Sequence, residues 1–190
     1  MILSNYEISK ALERGHIEIL NLAGNDPSTS PFNTTSVDLR LSPDLSIPQN
    51  DNIGNLRPSR IRTAAILAGD SKREIMTKSQ GHMLEPNRFV LGKTVEKVAF
   101  PIRENEPCYA ARVEGRSSLA RCGILVHFTA PTIHAGFEGT ITLEIINLGP
   151  HEILLESGMY ICQLIVEEVK GTPILTSSQF RGQTAAVGNI

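Results

Sequence analysis

Thr140-Ile141-Thr142-Leu143-Glu144-Ile145-Ile146-Asn147 reads as a β-strand, and most of the fold can be worked out from it. Side chains on a strand alternate between two faces, so Ile141, Leu143 and Ile145 share one face while Thr142 and Glu144 share the other. The first face is built for a core. On the second, a carboxylate between Leu143 and Ile145 is expected to be partly buried, which disfavours its charged form and raises its pKa toward the range useful for proton transfer. The alternative is an edge-strand glutamate facing water.

The same period-two pattern extends outward on both sides. Towards the carboxyl end come Ile153 to Leu155 and Tyr160 to Val166; towards the amino end come Ile124 to Thr129, Cys108 to Val113, Thr94 to Phe100 and Phe89 to Leu91. Turn signals separate them at Pro101, Gly115, Gly136, Gly149-Pro150 and Gly158. Further back, Val37 to Leu41 and His16 to Ile19 alternate likewise, around the polar stretch from Asn25 to Thr35. One helix is expected, where Ser4 and Glu7 form a capping box before Ile8, Ala11 and Leu12, with Gly15 as its stop. Residues Ser42 to Asn87 mix Pro, Asn, Gly and charge around a weak apolar run at Ala64 to Leu67, and read as loops with one short element at most. Many short strands and one clear helix predict a mainly β protein, a distorted antiparallel jelly roll or β-sandwich with a few short helical turns.

A chain of 190 residues suits one domain, expected over residues 1–171. The tail from Thr172 to Ile190 is polar and rich in Ser, Gln and Gly, and is either disordered or a closing flap. Eighteen Lys and Arg against twenty Asp and Glu give a net charge of −2, which argues against binding nucleic acid by its phosphates. Met1-Ile2-Leu3 runs straight into polar Ser4-Asn5-Tyr6-Glu7, unlike an export signal, and no run of eighteen apolar residues occurs. The expectation is a cytoplasmic protein without membrane association.

Cys108, Cys122 and Cys162 are widely spaced in apolar contexts and read as buried, reduced thiols, not as a disulfide or a metal site. Zinc-dependent nucleobase deaminases need a Cys-x-x-Cys pair plus another His or Cys ligand, and no Cys-x-x-Cys occurs. Walker, Rossmann and nucleophile-elbow signatures are also missing. His127 reads as a structural histidine at a subunit contact; His16, His82 and His151 lie in turn-like contexts with no chemistry expected, and Arg57, Arg60 and Arg62 read as a solvated face.

A second informative stretch is Glu114-Gly115-Arg116-Ser117-Ser118-Leu119-Ala120-Arg121. A strand ends at Gly115, and Ser117 or Ser118 can cap a short helix in which Ser117 and Arg121, four apart, face the same way. Backbone N–H groups there, with Arg116 and two hydroxyls, suit a phosphate; a simple capped turn explains the stretch equally well.

Taken in order, Val113 to Gly123, Val126-His127-Phe128-Thr129-Ala130, Gly136-Phe137-Glu138-Gly139 and Ile141-Thr142-Leu143-Glu144 closely resemble the dCTP deaminase branch of the dUTPase-like trimeric superfamily. So do Ser36 to Leu41, Gly158 to Leu164 and Gln179-Phe180-Arg181-Gly182-Gln183, and the resemblance spans about Ile2 to Gln183. It implies a homotrimer with active sites between subunits, acting on dCTP without zinc, with Mg²⁺ carried by the triphosphate and dTTP as a possible inhibitor. Glu144 falls on the family's catalytic glutamate, Ser117 and Arg121 beside it, and the carbonyl of Ala130 on the water. Arg116, Ser118, Gln163 and the tail residues Gln179, Phe180 and Gln183 would meet the triphosphate. Leu119, Ala120, Thr142 and Leu143 would line the nucleotide pocket, and Phe137 would pack on the deoxyribose.

Two departures matter. His134 stands where many relatives carry an Asp; it can hydrogen-bond a sugar hydroxyl but supplies no carboxylate to activate water against a phosphate, which disfavours dUTP diphosphatase activity or a bifunctional enzyme forming dUMP. Gln179 and Phe180 stand where many relatives have Lys and Tyr, removing a cation and a hydroxyl from the phosphate lid. A third reading, a non-catalytic nucleotide-binding regulator of the same fold, does not account for Glu144, Ser117 and Arg121 being kept together.

Overall fold

The computed structural model describes residues 1–49, 71–77 and 79–174. Helix α1 (Asn5–Glu13) starts as expected: Ser4 is its N-cap and its hydroxyl accepts from the Glu7 amide. It buries Ile8 and Ala11 and stops before Gly15, whose φ of +67° a glycine adopts without strain.

Thirteen strands follow among the described residues: β1 (Glu18–Leu20), β2 (Phe32–Asn33), β3 (Ser36–Arg40), β4 (Asp44–Pro48), β5 (Ser71–Ile75), β6 (His82–Leu84), β7 (Phe89–Ala99), β8 (Cys108–Gly115), β9 (Ile124–Leu125), β10 (Thr132–Ile133), β11 (Glu138–Asn147), β12 (Ile153–Leu155) and β13 (Tyr160–Val169). A helical turn, α2 (Ser117–Ala120), sits between β8 and β9. One large sheet runs β5-β4-β7-β11-β9, with β1 also paired to β7; the other runs β10-β8-β13-β3-β2, and β12 and β6 form a separate ribbon. The named strand pairs are all antiparallel. The protein is thus mainly β, a distorted antiparallel sandwich as predicted.

The alternation seen in sequence is the packing. β11 buries every second residue, Ile141, Leu143 and Ile145 among them, and β13 buries Ile161, Leu164 and Val166; the two sheets contribute to one core with Val37, Leu39 and Val90. Burying a side chain of this size contributes about 1.5–3 kcal/mol.

Two polar devices fix the sheets. Glu96 of β7 is 0% exposed, accepts from the Arg40 backbone N–H at 2.8 Å and from its Nε at 2.7 Å, and so ties β7 in one sheet to β3 in the other. Asn147 ends β11 with its amide satisfied: Nδ2 donates to the carbonyls of Leu84 and His151, and Oδ1 accepts from Gly149 N–H. Midway along β11 the register with β7 slips between Thr140 and Thr142, so residues 94–96 face Ile141 alone. The Thr94 hydroxyl accepts the Ile141 amide at 3.0 Å and donates to the Glu96 carbonyl at 2.7 Å, so the bulge leaves that amide partnered.

Several sequence expectations need correcting. Residues 42–87 were expected to be loops with at most one element, yet β4, β5 and β6 lie there. β4 was hidden by Pro43 and Pro48 at its ends; β5, Ser-Lys-Arg-Glu-Ile, is an edge strand whose charges suppress the apolar signal. The apolar run at Ala64 to Leu67 lies outside the described residues. The expected strand from Ile124 to Thr129 shrinks to Ile124–Leu125, because from Val126 onward the chain leaves the ladder. The segments at 89–91 and 94–100 fuse into β7, and two-residue strands β2 and β10 were too short to show in the pattern.

Candidate active site

Glu144 lies on β11 between Leu143 and Ile145, both fully buried, and is itself half-buried on the opposite face. Its Oε2 accepts a hydrogen bond from the backbone N–H of Phe128 at 3.3 Å, and the Phe128 ring meets Phe89 at 5.6 Å between centroids. The chain that leaves β9 therefore crosses the carboxylate instead of continuing the sheet. Thr142 shares that face and is half-buried, but Leu143 is fully buried, so of the pocket-lining role expected for it only its backbone is available.

The 115–121 stretch is fixed from below. Neither Ser117 nor Ser118 caps α2: the N-cap is Arg116, with no side-chain cap bond, because the helix begins one residue earlier than expected. The Arg121 amide bonds the Ser117 carbonyl at 3.2 Å, which places the two residues one turn apart as predicted. Ser117, Ser118, Ala120 and Arg121 are exposed, while Leu119 is half-buried and packs against the core. Arg116 ion-pairs with Asp38 at 3.1 Å, donates from Nη1 to the Tyr160 carbonyl at 3.3 Å, and lies 5.6 Å above the Tyr160 ring. Gln163 donates from Nε2 to the Gly115 carbonyl at 3.1 Å and accepts from the Ser36 hydroxyl at 3.0 Å.

At the carboxyl end of α2, Gly123 has φ +94° and its backbone lies so near Gly149 that a Cβ would sit 2.3 Å from the Gly149 nitrogen. The Leu148 amide bonds the Gly123 carbonyl at 2.8 Å, and β9 pairs with β11 at Ile146 and Asn147. This contact places α2 and Glu144 near the same edge of the sheet. Among the described residues, though, no hydrogen bond or ion pair joins Glu144 to Ser117 or Arg121.

The hairpin is held elsewhere. The Phe137 amide bonds the His134 carbonyl, and Gly136 N–H and the Phe137 carbonyl bond the backbone of Phe100, so the turn sits where β11 begins. His134 and Ala130 are exposed and Phe137 is half-buried against the core. Glu138 and Glu144 are six positions apart on β11, on the order of 20 Å of strand. Gln179, Phe180 and Gln183 lie outside the described residues. Among the described residues no group of three or more His, Cys, Asp or Glu gathers that could hold a metal, and no helix is long and apolar enough to cross a membrane.

A family model for dCTP deaminase-like proteins matches residues 2–169. The chain belongs to this family. Among dCTP deaminase-like relatives, the dCTP deaminase of Natronomonas pharaonis is 36% identical over 189 residues, covering 97% of this chain and 91% of that one. The dUMP-forming dCTP deaminase of Dictyoglomus thermophilum is 37% identical over 169 residues, covering 86% and 78%. The crystal structure of 2'-deoxycytidine 5'-triphosphate deaminase from Agrobacterium tumefaciens superposes with a TM-score of 0.65 at 18% identity. It matches 89% of this chain, which spans about half (48%) of that one, and shows the shared fold.

What sequence reading missed in this dCTP deaminase-like chain is the support under the predicted residues. Ser36 and Asp38 stand in a quoted motif without an assigned task, although a carboxylate between Val37 and Leu39 was a signal that something must partner it.

Proposed function

We propose that this protein hydrolyses dCTP to dUTP and ammonia, with Glu144 as the group that moves the protons. The observation that carries this reading is the half-buried Glu144, set in an apolar strand and aimed by the Phe128 amide, in a member of this family. Water adds to C4 of the cytosine ring as Glu144 takes its proton and passes it to N3. A second proton, from the adduct hydroxyl, reaches the 4-amino group through the same carboxyl, and the C–N bond breaks to release ammonia and leave the C4 carbonyl. One water is consumed and the triphosphate is untouched.

In this scheme Ser117 bonds the water or amino group, Arg121 orients the carboxylate, and the Ala130 carbonyl holds the water. Arg116, Ser118 and Gln163 meet the triphosphate, which arrives as its Mg²⁺ complex, since Mg²⁺ is commonly held largely by substrate phosphates. Phe137 packs on the sugar and His134 bonds its hydroxyl. The site is completed between copies of a homotrimer, as the family resemblance implies, so that Glu144, α2 and the 134–137 turn need not all come from one chain. Residues 172–190, with Gln179, Phe180 and Gln183, serve as a flap over the phosphates.

The test is product analysis. Purified protein with Mg²⁺ and dCTP is expected to release one ammonia per dUTP; no ammonia would overturn the reading. Because some relatives bear the name dUMP-forming, the same chromatogram is read for dUMP. Its absence is expected, since the exposed turn residue is His134, not a carboxylate.

A further inference from the structure

We propose that Asp38 is a positioning residue that sets the direction of the Arg116 guanidinium toward the nucleotide phosphates, a role that rests on the dCTP-hydrolysing reading above. Asp38 lies on β3 between Val37 and Leu39 with 6% exposure, where an unpaired carboxylate is costly. Among the described residues its carboxylate has two partners: Asn33 Nδ2 donates to its Oδ1 at 3.0 Å, and Arg116 Nη2 stands 3.1 Å from its Oδ2. The arginine side chain is 33% exposed, so the pair straddles the surface, its anion inside and its cation at the rim.

Such a pair is weak evidence of added stability, because desolvation of both charges offsets their attraction. Its geometry constrains direction instead. The guanidinium has five N–H donors in a rigid plane. One is directed to Asp38 and one to the Tyr160 carbonyl, while the Tyr160 ring lies 5.6 Å below. Three contacts fix the plane, and among the described residues three donors are left for phosphate oxygens, which an arginine meets best when its fork is held beforehand. β3 and β13 place Asp38 opposite Gln163, and Gln163 is opposite Glu114 on β8, so the residues bracing the Gly115–Arg116 turn form a row across three strands.

The experiment is a double-mutant cycle on the full chain, with steady-state dCTP turnover, calorimetric binding of inorganic tripolyphosphate and a melting curve for each variant. Asp38→Asn is expected to raise the dCTP KM about tenfold with kcat within about twofold, and to weaken tripolyphosphate similarly. In an Arg116→Ala background the same change is expected to leave both constants within about twofold. Equal losses in both backgrounds would overturn the proposal, as would a fall in kcat and melting temperature with KM unchanged. If Asp38→Asn does not fold, Asp38→Glu decides: a raised KM at wild-type melting temperature supports it, and an unchanged KM overturns it. Wild-type protein that releases no ammonia yet binds tripolyphosphate through Asp38 and Arg116 would defeat the function and spare this inference. Normal turnover with tripolyphosphate binding indifferent to Asp38 would do the reverse.

Discussion

The backbone amide of Phe128 donates to the Glu144 carboxylate at 3.3 Å, so three residues past the last β9–β11 pair, Leu125–Ile146, the chain bonds a side chain of β11 and not its backbone. The carboxylate is therefore aimed by a donor that does not depend on its charge.

Glu144→Gln should keep that bond through its amide oxygen while losing the ability to shuttle protons. Turnover of dCTP is expected to fall at least about a hundredfold, with nucleotide binding retained. Ammonia release and calorimetry on the same preparation check it; near-wild-type turnover would remove Glu144 from the role.

Gly123→Ala places a Cβ 2.3 Å from the Gly149 nitrogen at a backbone φ of +94°. Strain alone costs about 1–3 kcal/mol, and the clash adds to it. At Gly15, φ is +67° with nothing within 4 Å, so the same substitution there should cost about 1 kcal/mol. Melting temperatures should show the Gly123 variant clearly less stable than the Gly15 variant; equal losses would contradict the close approach.

Asp44 gives a pH signature. Burial pushes its carboxyl up, but hydrogen bonds and charges from Arg73 and Lys93 outweigh burial and hold it below the usual carboxylate range. A depressed folded-state pKa adds stability above the unfolded value of about 3.9, and that stability is lost as pH falls through the folded value. Asp44→Asn is therefore expected to lower stability at pH 7 by about 0.5–1 kcal/mol, with the gap closing below about pH 4. A gap that widened in acid would refute the sign.

The thiols should divide sharply. Burial, with Glu96 and Asp38 nearby, pushes the Cys162 thiol far up, and Cys108 is buried too, whereas Cys122, contrary to the expectation from its sequence context, is exposed just after α2. At pH 8 a thiol reagent should label one cysteine per folded chain and all three after unfolding. Rapid labelling of two in the native state would be inconsistent with this core.

The strands most easily read in sequence were those buried on one face. β11 and β13 alternate because the core is on one side only, and Ser4 and Gly15 bracket α1 by local backbone chemistry. β5 was invisible because an edge strand needs no apolar face, and β9 ended early because its continuation bonds a side chain 16 residues away. For the candidate site, residue type alone left Glu144 readable as an ordinary strand glutamate and the Arg116–Arg121 turn as a simple capped turn, and only the resemblance joined them. What could not be read was tertiary, such as Asp38 beneath Arg116 and the Gly123–Gly149 contact, since each depends on segments the fold alone brings together.

The Arg40–Glu96 pair has a consequence for how the two sheets choose their alignment. Apolar faces tolerate sliding, because one leucine is as welcome as the next. Displacing β3 along β7 by a single residue, about 3.4 Å, would strand a fully enclosed carboxylate without its cation. Every shifted arrangement is thereby penalised more heavily than the native one is favoured, and the sandwich keeps a single vernier setting.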